Sequence, residues 1–131
     1  MITSVGGDLN AAYSLVSVIR GSKIPVRTIA IGEAYSAALC VLMSGHQRVA
    51  APYASIMSHQ FLSGTEGSYD NLKNTMAEFD NYYNKMFKFY HECTGLEESF
   101  IREKLLSNRE HYFTPEKALE YNIVDLVAGL E

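Results

Sequence analysis

The stretch AIGEAYSAALCVLMSG, Ala30 to Gly45, decides how this chain is read. It closes a β-rich run, Val26 to Ile31, with Gly32, places a serine four residues later, and continues in an Ala/Leu-rich pattern of helical character. A strand that becomes a helix across a short turn is the unit of α/β architecture. Ser36 sits at the junction. A serine at a helix start is most often an N-cap, whose hydroxyl accepts from an amide of the first turn. The alternative is a nucleophile, held where the first amides of the helix and its dipole favour negative charge.

Working outward, residues 1–4 read as the end of a strand. Gly6-Gly7 is a turn, with Asp8 or Asn10 as cap for a helix carrying Ala11, Ala12, Leu15, Val16 and Ile19 at helical spacing up to Gly21. Downstream, Ser36 to Met43 reads as a buried helix. Arg48–Ala51 and Ser55–Gln60 read as short strands, and Ser63–Gly67 as a loop. Tyr69, Leu72, Met76, Phe79, Tyr83, Met86 and Tyr90 then alternate at steps of three and four, which predicts one long helix over about residues 67–93. Tyr82, Phe87 and Phe89 fall outside that stripe, so more than one face is apolar. In a chain of 131 residues this points to a subunit interface. Glu97–Leu106 reads as a short helix. Thr114-Pro115-Glu116 is a strong helix start, and Ile123–Val127 reads as a last strand. The fold class expected is α/β, in one domain over residues 1–131.

Composition excludes several functions. The chain holds 11 Lys and Arg against 15 Asp and Glu, a formal charge of −4, and no basic run, so neither nucleic acid nor an anionic membrane is an expected partner. No stretch has the run of about 18 apolar residues that a membrane span needs, and the start is not a secretory leader. Two cysteines, Cys40 and Cys93, make neither a zinc pattern nor a disulfide framework, which leaves a reducing, cytoplasmic setting as the expectation. His91 and Cys93, two apart on a helix, make a poor metal pair. No metal or cofactor is expected.

Acyl transfer by a serine needs a fixed hydroxyl, a histidine to take its proton, a carboxylate to orient that histidine, and amides aimed at the oxyanion. Ser36, His59, Glu110 and the glycines at 6 and 7 offer one candidate for each part. None is specific alone: the serine run is not the G-x-S-x-G elbow, a lone histidine in a strand is usually structural, and a Gly-Gly pair is usually just a turn.

Taken together, the chain resembles the caseinolytic (Clp) protease proteolytic subunit family along nearly all its length. "TSVGG" at Thr3–Gly7 is similar to the family's "NSPGG", and "IGEAYSAAL" at Ile31–Leu39 to "MGQAASMGA" around its nucleophile. "MSHQF" at Met57–Phe61 is similar to "MIHQP", and "REHYFTPEKALEYNIVD" at Arg109–Asp125 to "RDxFMSAxEAxEYGLID". The resemblance implies a Clp protease/crotonase-like spiral of ββα units with a protruding handle helix. It implies Ser36 as nucleophile, His59 as base, Glu110 as acid, and the amides of Gly7 and Ala37 as the oxyanion hole. It further implies a serine endopeptidase acting on unfolded polypeptide inside stacked rings, supplied by an ATP-dependent unfoldase. The resemblance also implies a short form lacking the family's N-terminal segment.

The departures are Val5 for proline, Tyr35 for a small residue, Ala38 for glycine, and Glu110 for aspartate. They motivate a second expectation, a catalytically weak or inactive subunit in a mixed ring. A third, a crotonase-like acyl-CoA enzyme, needs neither the serine nor the histidine, and the Ser36 and His59-Gln60 motifs weigh against it. Asp125 is the fallback acid. His111 is expected to face outward, and His46 to lie on the surface beside a helix C-terminus.

Overall fold

The computed structural model describes residues 1–129. Residues 130 and 131 of the unit expected over residues 1–131 lie outside the described residues. The element order is β1 (Ile2–Ser4), α1 (Leu9–Gly21), β2 (Arg27–Tyr35), α2 (Ala37–Met43), β3 (Gln47–Ala50), β4 (Ser55–Ser58), α3 (Tyr69–Thr94), α4 (Glu98–Lys104), β5 (His111–Phe113), α5 (Pro115–Glu120) and β6 (Leu126–Val127). The strands form one sheet in the order β5-β4-β2-β3-β6, with β1 also on β2. Pairing is parallel except between β4 and β5. The predicted α/β class is what folds.

β2 is the hub, and it corrects one expectation. Gly32 does not end the strand, which runs on to Tyr35. Residues 27–30 pair with β3 and residues 33–35 with β4, so the partner changes around Gly32. Ala30 and Ala34 also pair with β1, which therefore holds the other edge. A Cβ at position 32 would collide with the Thr3 side chain. The glycine is there to let β1 approach, one of the few reasons to put glycine inside a strand.

Helix ends follow the capping signals. The Asp8 carboxylate accepts from the Ala11 amide at 2.7 Å and starts α1. Ser68 and Thr114 do the same for α3 and α5, and Pro115 occupies the first turn of α5. Gly95, at φ 73°, ends α3 in the left-handed conformation that glycine adopts without strain.

Three short elements differ from expectation. β5 is a strand that the sequence does not announce; three residues give too little alternation to see. The strand expected over residues 123–127 shortens to Leu126–Val127, because the amides of Ile123 and Val124 turn back to the Ala118 carbonyl. β4 stops at Ser58, and two residues on the Gln60 amide bonds the Ser107 carbonyl at 3.0 Å instead of continuing the ladder.

The core lies between the sheet, α2 and the C-terminal half of α3. Leu39, Cys40 and Leu42 of α2 pack with Ala30, Ala34 and Ile56 of the sheet, and with Met86, Phe89 and Tyr90 of α3. Burying each such large side chain contributes about 1.5–3 kcal/mol. Arg48, only 7% exposed, ties the far end together. Its guanidinium donates to both carboxylate oxygens of Asp125, and its Nη1 donates to the Cys93 carbonyl at 2.7 Å. The first half of α3 is different: Tyr69 is 73% and Met76 54% exposed, so the apolar stripe continues past the part of the helix that the core covers.

Candidate active site

Ser36 stands alone between β2 and α2, at φ 56° and ψ −119°. That is the geometry of the first central residue of a type II′ turn, a place normally taken by glycine. Holding a serine there costs about 1–3 kcal/mol. The surroundings enforce it: the Ser36 amide donates to the Met57 carbonyl at 2.9 Å, and its carbonyl accepts from Leu39 at 2.9 Å. Ser36 occupies the N-cap position of α2, yet its hydroxyl makes no capping bond. The Oγ lies instead 2.8 Å from His59 Nε2.

His59 is brought there by the alternation of β4. Ser58 points into the core, where its hydroxyl reaches Tyr90 Oη at 2.8 Å and donates to the Leu105 carbonyl at 2.7 Å. Neighbours along extended chain point to opposite faces, so His59 turns to the other side. The following residue is held too, with Gln60 Nε2 donating to Tyr83 Oη at 2.9 Å.

The two glycines divide the work in a way the sequence did not reveal. Gly6, at φ 93°, packs against the junction: a Cβ there would stand 2.6 Å from the Tyr35 carbonyl oxygen and 3.1 Å from the Ala37 nitrogen. Gly7, at φ 153°, follows it with open space around its α-carbon. Ala37 is the first residue of α2, so its N–H has no intrahelical acceptor.

Gly7, Ser36, Ala37, His59 and Glu110 all line one cleft of about 550 Å³. Its far wall is apolar, with Leu9, Phe61, Phe79, Tyr82 and Met86. Sequence reasoning did not assign these as cleft residues, although the 79, 82, 86 spacing puts them on one face of α3. Tyr112 was also missed. It lies 5.6 Å from Tyr35, ring edge to ring face, at the rim of the cleft.

The acids sort by partner. Glu110 is exposed and its Oε2 accepts from Tyr112 Oη at 2.9 Å. Asp125, the fallback acid, is committed to Arg48, and the guanidinium beside it holds its carboxyl below the ordinary aspartate value. His111 bonds Ser107 Oγ at 2.6 Å, away from Glu110. Burial, then Arg109 and Lys104, lower its pKa. His46 Nδ1 accepts from the Val26 amide at 3.0 Å. Burial pushes the Cys40 thiol up to about 12, which leaves it inert as a nucleophile. No helix among the described residues is long and apolar enough to cross a membrane.

The family model for Clp protease matches residues 1–130. An ATP-dependent Clp protease proteolytic subunit of Deinococcus radiodurans is 33% identical over 130 residues, covering 96% of this chain and 62% of the relative. One from Ostreococcus tauri is 33% identical, covering 99% of this chain and 65% of the relative. The subunit 2 of Mycolicibacterium paratuberculosis is 32% identical, covering 95% and 62%. The chain thus spans just under two thirds of the length of these relatives.

Proposed function

The chain belongs to the Clp protease family, and from that premise we propose that it is a serine-type endopeptidase subunit. Its fold is the Clp protease/crotonase-like α/β fold, with α3 as the long helix. In the proposed reaction Ser36 Oγ attacks a peptide carbonyl while His59 Nε2 takes its proton. His59 then returns the proton to the leaving amine. The amides of Gly7 and Ala37 receive the oxyanion, and Glu110 steadies the imidazolium. Water repeats the sequence on the acyl-enzyme.

One observation carries this reading: a serine held at strained backbone angles, uncapped, with its hydroxyl 2.8 Å from an imidazole nitrogen in an open cleft. A serine kept only for structure would cap α2 instead. The apolar far wall of the cleft suits an extended peptide with large side chains.

The assembly is proposed on separate grounds. The exposed apolar part of α3 suits face-to-face packing of copies, as in stacked rings enclosing the cleft. The substrate would then be unfolded polypeptide, and the relatives' description as ATP-dependent supports an unfoldase partner. Two free cysteines suit a reducing, cytoplasmic setting.

A second reading, a weak or inactive subunit in a mixed ring, is favoured by the bond between Glu110 and Tyr112. Labelling with a fluorophosphonate decides between them. A mass increment on the folded protein that vanishes in Ser36→Ala supports the peptidase; an unlabelled wild type assigns the chain a structural role.

A further inference from the structure

β4 and β5 pair antiparallel as Ile56 with Phe113, Met57 with Tyr112 and Ser58 with His111. His59 follows β4 and Glu110 precedes β5, so the two stand at the same end of this strand pair. Side chains alternate, so Met57, His59, Glu110 and Tyr112 share the cleft face, and all four line the cleft. A glutamate there can reach the imidazole. It can equally reach back along its own strand, two residues, to Tyr112 Oη, and that is the bond it makes.

The phenol that holds it is itself held. The Tyr112 ring packs edge-on against Tyr35 at 84°, and Tyr35 Oη donates to Ser55 Oγ at 2.9 Å. The carboxylate answers by pushing the Tyr112 phenol above its ordinary value. Among the described residues no other acid is placed to take over. Asp8, the other carboxylate of the cleft, accepts from the Ala11 amide, and Asp125 is paired with Arg48. Tyr82 of α3, the remaining titratable group of the cleft, donates to Asn10 Oδ1. Arg109 precedes Glu110, and His111 bonds Ser107 on the other face of β5.

Resting on the peptidase reading, we propose that Tyr112 is a positioning residue: its hydroxyl holds the Glu110 carboxylate away from His59 and so keeps the basal reactivity of Ser36 low. Rupture of that one hydrogen bond completes the triad. The carboxylate then accepts from His59 Nδ1, fixes the tautomer whose Nε2 accepts from the serine, and favours the imidazolium formed during attack.

The test is Tyr112→Phe, which keeps the ring and its contact with Tyr35 and deletes only the O–H. Two quantities are read on the full chain. The second-order rate of fluorophosphonate labelling at Ser36 rises about threefold or more at neutral pH. The imidazole titration of His59, followed by NMR and assigned with His59→Gln, moves to higher pH by about half a unit or more, because an approaching carboxylate favours the charged ring. In a Glu110→Gln background Tyr112→Phe moves neither. An imidazole titration that stays in place, or labelling that is unchanged or slower in Tyr112→Phe, overturns the inference. The titration is read whether or not Ser36 reacts. Wild type and Tyr112→Phe both unlabelled would therefore sink the peptidase reading, whereas labelled protein with an unmoved titration sinks this inference alone.

Discussion

His59 Nε2 and Ser36 Oγ meet at 2.8 Å although 23 residues separate them along the chain. The contact is set by backbone, since the Ser36 amide is bonded to the Met57 carbonyl two residues before the histidine. The pair should therefore be rigid and chemically interdependent. His59→Gln is expected to lower Ser36 labelling and peptide cleavage about 10³-fold or more, and the double variant with Ser36→Ala should be little worse than either alone. Single-turnover rates check this.

Gly6 and Gly7 look equivalent in sequence and are not. Gly6→Ala forces a methyl against the Tyr35 carbonyl oxygen at a backbone angle that L-residues avoid. It is expected to destabilise the fold by about 1–3 kcal/mol and to push the loop off the serine junction. Gly7→Ala carries the backbone strain but meets no neighbour. Denaturant unfolding should show the larger loss for Gly6→Ala.

Asp125 makes stability depend on acid. Its hydrogen bonds from Arg48 depress the folded carboxyl below the unfolded value, while partial burial opposes that shift. A depressed carboxyl contributes stability that is fully present above the unfolded value of about 3.9 and is lost as the pH falls through the folded one. Asp125→Asn should cost about 2 kcal/mol at pH 7, chiefly by leaving the buried Arg48 with a weaker partner. Unfolding curves of the variant and the wild type should converge as the pH falls through the lowered value of the folded carboxyl.

The exposed part of α3 predicts self-association. Sedimentation of the wild type should give a species well above the 14.6 kDa chain. Met76→Glu, on a side chain 54% exposed, should weaken assembly about tenfold or more and leave thermal unfolding of the subunit nearly unchanged. A monomeric wild type would remove the chamber from the proposed function.

The sequence made some of this structure legible and hid the rest for identifiable reasons. Long elements announce themselves: the helical spacing from Ala11 to Ile19, the alternation from Tyr69 to Tyr90 and the start at Thr114 place three helices to within a residue or two. The sequence singles out Ser36, His59 and Glu110, and the three share one cleft. Composition alone does not single them out; the runs around each residue do. Gly32 misled because a glycine that breaks a strand and one that admits a crossing strand are identical in sequence. β5 was invisible because its evidence is the partner, β4, and not its own three residues. The Tyr112 bond was hidden likewise, since i and i+2 share a face only once a strand is known.

The backbone angles of Ser36 have a consequence for how this chain can vary. Glycine would occupy that corner without protest, and drift toward easier folding would favour it. Keeping a hydroxyl there means accepting a less comfortable protein, so the residue that most strains the chain is the one that gives it something to do.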